Sequence, residues 1–528
     1  MENRSIYDQR LTEMLDKVAD EIKNYSIGFI SHIKKLAEIG ISLTSEKNVN
    51  KILEMIVEEA KNFTNADAGT LYSVEGDILI FEILYNDTLG VKQGGTTGTP
   101  IKLPPVPIHK QNVSGYVAKT GEIINIPDVY EDNTFDFTGP KKYDAQTGYR
   151  SQSFLVVPLR DHENTIIGVL QLLNAKNKDT GEVIPFAPEY EDIIYSLASQ
   201  AAVAITNARL IKDIETMLNS FVKVMATAID ERTPYNKEHT ARVACYTVAL
   251  ASQINEIAEG PYKDIYFTEE KLAELNMAAW LHDVGKVTTP EIVMDKSTKL
   301  ECKMDRLELI LQRIELIRKE SKIMELSGSS DKKANSAFEK KLSQYENFIK
   351  KANNPGESLN ERDLQLLEEL RAFRFKGHEG EKLCIITEEE YENLSIARGT
   401  LNPRERTIME NHVMVTEKLL SNMPFIKKYK NVPEIAAAHH EKINGKGYPH
   451  KLKNEEIPVG GKIMAIADLF DALTASDRPY KKAMTDEEAF VILDKAAENN
   501  EIDKDLLTIF RDSKIYATDT HKKGVFET

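Results

Sequence analysis

The sequence is short of cysteine, and the three it has, Cys245, Cys302 and Cys384, are odd in number and far apart. That excludes a disulfide framework and a thiolate metal cage, and it points to a reducing, cytoplasmic compartment. No apolar run approaches the ~18 residues that a membrane-spanning helix needs. The first residues, MENRSIYDQRLTEML, are mixed in charge where a secretory leader would be basic and then apolar. Positive charge is also in deficit: 68 Lys and Arg stand against 84 Asp and Glu, a formal net charge of -16. Non-specific binding to a nucleic acid polymer or an anionic membrane is thereby disfavoured, and any phosphate-bearing ligand must be held by a local site. Gly and Pro (26 and 19 of 528 residues) are too few for a fibre or a disordered chain.

What is present is enough apolar residue, 41%, to build several cores, and at one domain per ~150 residues the length suggests three or four structural units. Residues 1–32 read as a polar-faced helix, and a second helix starts at Ile33 with Leu36, Ile39 and Leu43 on one face. Between Ala68 and Leu173, short β-branched runs such as DILIFEILYND, SFLVVPLRD and TIIGVLQLLN alternate with turn residues, which predicts an antiparallel sheet. Gly94 to Pro107 reads as a surface crossover within it. Helix resumes near Pro188, and over 196–229 it carries Leu197, Ala201, Ala204, Ala208, Ile211, Leu218, Val222, Met225 and Ile229 at alternating steps of four and three, with Glu215 the one polar interruption. A 3.5-residue seam of this kind lets two helices wind together, so a parallel homodimer is expected. After Thr233-Pro234 the pattern is helical, and within it 295–400 reads as a charged helical hairpin centred on DRLELILQRIELIRKE and NSAFEKKLSQYENFIKK.

The chemistry is concentrated in this last part. Five of the eleven histidines, His239, His282, His412, His439 and His440, fall in helical contexts near acidic residues. His282 and Asp283 are adjacent at a helix end, with Gly285 placed as a cap and Lys286 after it. HHEKINGKGYP follows His439-His440 with a Gly-rich turn, and Asp468 and Asp471 lie at i and i+3 on one helix face. Imidazoles and carboxylates without thiolates suit Fe, Mn or Zn, and a two-oxygen carboxylate can reach two ions.

The series His239-x-x-Arg242-Val243, His282-Asp283-x-Gly285-Lys286, His412, His439-His440-Glu441, Gly445-x-Gly447-Tyr448-Pro449 and Asp468-x-x-Asp471, over about 230–495 of a domain read as 230–528, resembles the HD-GYP family of metal-dependent phosphodiesterases, which hydrolyse bacterial cyclic dinucleotides. The resemblance implies an all-α domain with catalytic Asp283 and Lys286. Its metal ligands would be His239, His282, Asp283, His412, His439, His440 and Asp468, holding two ions, iron first and manganese second. Substrate contacts would come from Lys286, Gly445, Gly447, Tyr448, Pro449 and Arg478, with cyclic di-GMP as substrate and a linear dinucleotide or GMP as product. Where some members place a glutamate for a third ion, this chain has Tyr235, so a third ion is not expected; Asp230, Glu231 and Glu238 are the nearby carboxylates. The 128 residues between Asp283 and His412 exceed the family's spacing and mark 295–400 as an insertion.

Residues 33–195 resemble a GAF domain, an α+β sensor of small ligands whose antiparallel sheet is flanked by helices. Asn177, Lys178, Phe186 and Glu191 match its cyclic-nucleotide signature, with Tyr190 where an aspartate would stand. The whole reads as sensor, connecting helix and enzyme. The alternative readings are an adaptor that binds without turnover and a phosphohydrolase acting on another cyclic dinucleotide.

Overall fold

Helix α1 runs unbroken over Glu2–Ser45 where the sequence suggests two helices. The stretch around residue 30 contains neither a proline nor a capping pair, and a lone glycine costs a helix only ~1 kcal/mol, too little to end it. The computed structural model describes residues 2–232, 238–328, 332–377, 379–475 and 483–517, and the chain divides into two compact units, Met1–Met217 and Leu218–Thr528.

In the first unit, α2 (Val49–Thr64) precedes β1 (Ala66–Glu75), β2 (Ile78–Asn86), β3 (Val91–Gly94) and β4 (Val106–Pro107). Then follow α3 (Val113–Thr120), β5 (Ile124–Ile126), α4 (Thr138–Thr147), β6 (Phe154–Arg160), β7 (Ile166–Lys176), β8 (Val183–Ile184) and α5 (Glu189–Asp230). The sheet is antiparallel in the order β3-β2-β1-β7-β6-β5, with β4 added on β2 and β8 on β7. Successive strand residues face opposite ways, so two cores form. One joins Leu43, Ile56, Leu71, Leu172 and Leu197 from α1, α2, the sheet and α5; the other joins Tyr72, Val113, Phe137, Phe154 and Val169.

Among the described residues, the second unit is helical except for one hairpin. It takes in the end of α5, then α6 (His239–Ile254), α7 (Glu269–Leu281), α8 (Glu291–Met294), α9 (Leu307–Leu326), α10 (Lys332–Ala352), α11 (Glu361–Ala372), β9 (Arg374–Lys376) and β10 (Lys382–Cys384). It continues through α12 (Glu388–Leu394), α13 (Pro403–Ser421), α14 (Val432–Ala437), α15 (Val459–Thr474), α16 (Asp486–Glu498) and α17 (Lys504–Asp512). Val243, Leu250, Ala278, Ile463, Phe470 and Phe510 pack one core, together with Val222 of α5. The residues read from the sequence as a hairpin have a separate core of Ile310, Ile314, Tyr345, Ile349, Leu367 and Ile385. They are therefore more than the helical hairpin read from the sequence: α11, β9-β10 and α12 close over α9 and α10.

Most of the expected seam on α5 is occupied from within the chain, although Ile211 is 57% exposed. Leu197, Ala201, Ala204 and Ala208 are buried in the first unit's core, and Leu218, Val222, Met225 and Ile229 pack into the second's. The heptad steps came from two independent burial patterns laid end to end on one helix. Gly94 to Pro107 also departs from a plain surface crossover, since Val106 and Pro107 pair with β2 and Leu103 to Pro107 wall a cavity. No helix among the described residues is long and apolar enough to cross a membrane.

Candidate metal centre

Three histidines of the cluster come from three different helices or helix ends, and each is aimed by its own backbone. His282 follows the last turn of α7, and its Nδ1 donates to the Ala279 carbonyl at 2.7 Å. On α13, His412 Nδ1 donates to Met409 O at 2.5 Å; after α14, His439 Nδ1 donates to Ala436 O at 2.6 Å. A bond from Nδ1 to the carbonyl three residues back fixes the tautomer and turns the Nε2 lone pair outward. α13 is set by a capping box at its start, where Asn402 and Glu405 satisfy each other's backbone amides and Pro403 opens the helix; buried Lys296 also donates to both oxygens of Glu405.

His239, the first residue of α6, is held differently. Its Nδ1 bonds Asp471 Oδ2 at 2.8 Å, and Arg242 grips the same carboxylate through Nε at 2.6 Å and a second nitrogen at 3.0 Å. Asp471 is thus committed to orienting a histidine, although the sequence places it beside Asp468 on one helix face. His239 and Arg242 are themselves three residues apart on α6, so one carboxylate can serve both.

Asp283 lies at the middle. Its Oδ2 is 3.2 Å from His282 Nε2 and 3.6 Å from His239 Nε2, and its Oδ1 is 3.2 Å from His412 Nε2. Asp468 Oδ1 is 3.4 Å from His239 Nε2, and its Oδ2 is 4.0 Å from His440 Nδ1. His412, His439 and His440 offer ligand atoms within 4.8 Å of one another; so do His239, His282 and Asp468, and so do His282, Asp283 and His439. His282 Nε2, Asp283 Oδ1, His412 Nε2 and His439 Nε2 are buried without a hydrogen-bond partner. A buried polar atom left unpaired costs about 1–3 kcal/mol; four that converge on one volume fit a site built for cations.

The electrostatics agree. Burial opposes ionisation of Asp283, but the Lys286 ammonium, 2.5 Å from Oδ2, and His282 hold its carboxyl well below the usual carboxylate range. Burial and the charge of His282 push His439 down to about 3, and burial with His439 and His412 holds His440 well below the ordinary imidazole value. Burial also opposes charge on His239, yet its hydrogen bonds to Asp283 and Asp471 raise it to about 10. The ionised Asp283 and the neutral His439 and His440 are in the donor forms that divalent ions bind, whereas His239 and His282, both raised against burial by neighbouring carboxylates, would release a proton on binding one.

The Gly-rich turn lies against this cluster. The Tyr448 ring is 4.7 Å from that of His440, centroid to centroid. Gly445 has φ +73°, and a Cβ on Gly447 would come within 2.3 Å of the Lys442 nitrogen, so both positions demand glycine. Buried Glu441 fixes the turn by accepting from the amides of His450 at 2.6 Å and Leu452 at 2.9 Å. Thr416 is a further residue that no sequence motif announces: its hydroxyl donates to His282 O and accepts from the Gly285 amide, joining α13 to the turn after α7. Asp230 is taken up by Thr240, while Arg478 and Tyr235 lie outside the described residues.

The first unit has a cavity of about 480 Å³ lined by Tyr72, Phe81, Val106, Phe137, Phe154 and Gln171, among others. Gln171 Oε1 accepts there from Ser114 at 2.8 Å and Tyr72 at 3.3 Å. None of the four residues expected to hold a ligand lines it. Asn177 bonds the amides of Asp179 and Thr180 in a turn, Lys178 is exposed, Phe186 is buried in the core on the helical side of the sheet, and Glu191 accepts from Asn125. Their spacing matches a signature, while in the structure Asn177, Phe186 and Glu191 are engaged in a turn, a core and a hydrogen bond.

Residues 48–205 match the GAF domain family, and residues 236–370 and 389–506 each match an HD domain family. A stretch of 94 residues is 46% identical to the cyclic di-GMP phosphodiesterase of Thermotoga maritima, covering 17% of this chain and 24% of that protein. A stretch of 90 residues is 46% identical to the 3'3'-cGAMP-specific phosphodiesterase 2 of Vibrio cholerae, covering 17% of each. Over 107 residues the chain is 39% identical to a probable cyclic di-GMP phosphodiesterase of Vibrio cholerae, covering 19% of this chain and 24% of that protein. The matches thus span about a quarter or less of these relatives' lengths. On these matches and the fold that accompanies them, the chain carries a GAF domain followed by a helical region that matches HD domain families in two stretches.

Proposed function

We propose that the chain is a metal-dependent phosphodiesterase of the HD-GYP type that hydrolyses cyclic di-GMP to the linear dinucleotide or GMP under control of its GAF domain. The observation that carries this reading is the set of unpaired ligand atoms converging between α7, α13 and the residues after α14. In this reading His239, His282, Asp283 and Asp468 hold one ion, and His412, His439 and His440 hold a second, with the two oxygens of Asp283 turned toward both sets. Bound divalent ions, iron or manganese, supply Lewis acidity toward the phosphodiester and acidify a water toward neutral pH.

The protein's own part is orientation and charge. The Nδ1 bonds keep His282, His412 and His439 turned inward, and Arg242 through Asp471 holds His239 with its Nε2 toward Asp283 and Asp468. Lys286 places an ammonium beside the ligands, where negative charge on a phosphate would build. Tyr448 and Pro449, on the turn fixed by Glu441, wall the approach next to His440. A cyclic GMP-AMP dinucleotide is the second reading, because one similar relative is named for it.

The GAF ligand is placed in the aromatic cavity around Gln171 rather than at Asn177 and Glu191. The homodimer is placed on the face of α5 left bare by both cores. Val203, Leu210, Ile214, Met217, Phe221 and Val224 are 40%, 48%, 58%, 68%, 55% and 66% exposed. With Asn207 they follow heptad steps, with Leu210 at a d position and β-branched Ile214 and Asn207 at a positions, a pattern that favours parallel pairs. A cytoplasmic location agrees with the cysteine usage and the chemistry of the relatives.

The test is product chromatography after incubating Fe(II)- or Mn(II)-loaded protein with cyclic di-GMP and, separately, with 3'3'-cGAMP, beside a His282→Ala/Asp283→Ala double variant. Linear dinucleotide or GMP formed only by the intact protein supports the reading. Binding without turnover under either metal would instead favour an adaptor.

A further inference from the structure

The C-terminal end of α5 holds two of the backbone segments from which the centre's groups project. Asp230, its last residue, is buried and accepts from the Thr240 amide at 3.2 Å and the Thr240 hydroxyl at 2.8 Å. This caps the start of α6, where Glu238, at φ 61°, makes no capping bond of its own. His239 is the first residue of that turn. Two residues beyond Asp230, the Arg232 guanidinium donates to the carbonyls of Lys286 at 2.8 Å, Val287 at 2.6 Å and Thr289 at 3.3 Å. Those carbonyls belong to the turn after Asp283, and the Lys286 ammonium rests on Asp283 itself. A planar fork that spans three carbonyls fixes a turn in a way that water cannot, because the donors are rigid relative to one another.

We propose that Asp230 and Arg232 are positioning residues, through which the end of α5 sets His239 on one side of the centre and Lys286 on the other. For its activity readout this inference rests on the phosphodiesterase reading. A displacement of the helix end would then reach the centre through two named contacts. A misplacement near 1 Å can cost on the order of 10²-fold in rate, so a partial relaxation of the turn is enough to regulate.

The test uses the full-length chain loaded with Mn(II) and two double-mutant cycles. Arg232→Ala is expected to lower kcat about tenfold with little change in KM, and to have less than about a twofold effect when Lys286→Ala is already present, because the two act as a unit. Arg232→Lys should restore part of the loss. Asp230→Ala is expected to weaken Mn(II) affinity about tenfold, and to do so only while His239 is present. Equal losses of kcat in both Lys286 backgrounds, or unchanged metal affinity in Asp230→Ala, would overturn the proposal and leave the contacts as supports for folding, which thermal melting of each variant would show. Should the parent chain turn over neither dinucleotide, the phosphodiesterase reading fails on its own. The Asp230–His239 cycle, read by metal titration, still decides the positioning role.

Discussion

The two units treat their buried polar groups in opposite ways. In the GAF domain they are mostly closed on one another, Glu59 Oε2 being an exception. Asp67 accepts from Tyr149, Thr88 and Lys176, Asn174 donates to Tyr149, and Asp144 accepts from Ser151 and Tyr130. Even within its cavity, Gln171 already has two donors. In the HD domain, four atoms of the centre have none. A closed network specifies a fold and leaves a ligand to bind by shape, whereas open donor atoms are a debt in stability that only a cation repays.

The comparison breaks most directly at Asp283. Asp283→Asn removes the ionised oxygens that both ligand sets share, and turnover and bound metal, read by product chromatography and elemental analysis, should both fall below detection. Retained metal at full stoichiometry would mean that the open atoms are not ligands. Chelation should lower the melting temperature of the HD domain alone. At a thousandfold excess of metal over Kd the stabilisation is about 4 kcal/mol, on the order of 10 °C for a unit of this size, and calorimetry should show the GAF transition unmoved. Asp471→Ala leaves every proposed ligand in place but frees His239, and metal affinity should drop 10- to 100-fold. Leu210→Asp, on the bare face of α5, should halve the mass measured by light scattering. Leu218→Asp should instead destabilise the second unit, because Leu218 packs into that unit's own core.

The smallest effect sharpens the other side. Lys176, Tyr149 and Thr88 pull the Asp67 carboxyl below its ordinary 3.8 even though burial, the largest influence, pushes it up. A folded-state pKa below the unfolded one contributes stability that is present above about pH 4 and lost as pH falls through the lower, folded value. Asp67→Asn should therefore destabilise the GAF domain at neutral pH by ~1–2 kcal/mol, and denaturant melts should show the gap between variant and parent closing below pH 4.

The metal centre was largely legible because its histidines and carboxylates fall in short local motifs, and helical periodicity says which faces can meet. The role of Asp471 is not legible, because an i, i+3 pair of aspartates looks alike whether one or both face a metal; its separate task shows only once α6 brings Arg242 beside it. The α5 seam misled for a related reason. Burial against two different cores generates the same 3.5-residue steps as a coiled coil, and only three-dimensional packing tells the occupied face from the bare one. The GAF residues Asn177 and Glu191 were matched to a signature by spacing, which cannot tell a turn-forming asparagine from a ligand-binding one. The small hairpin β9-β10 was missed because strands of three residues are too brief to show alternation.

The separate core of the insertion bears on how this chain finds its structure. Asp283 and His412 belong to one centre, yet 128 residues divide them in sequence, and bringing such distant points together costs chain entropy before any contact rewards it. Because Ile310, Ile314, Tyr345, Ile349 and Leu367 can condense among themselves, the intervening segment can become compact early. Its two ends then emerge already near one another. What remains for Thr416 to close is a short loop rather than a long one, so an elaboration of this length can be carried with little penalty to the rate of folding.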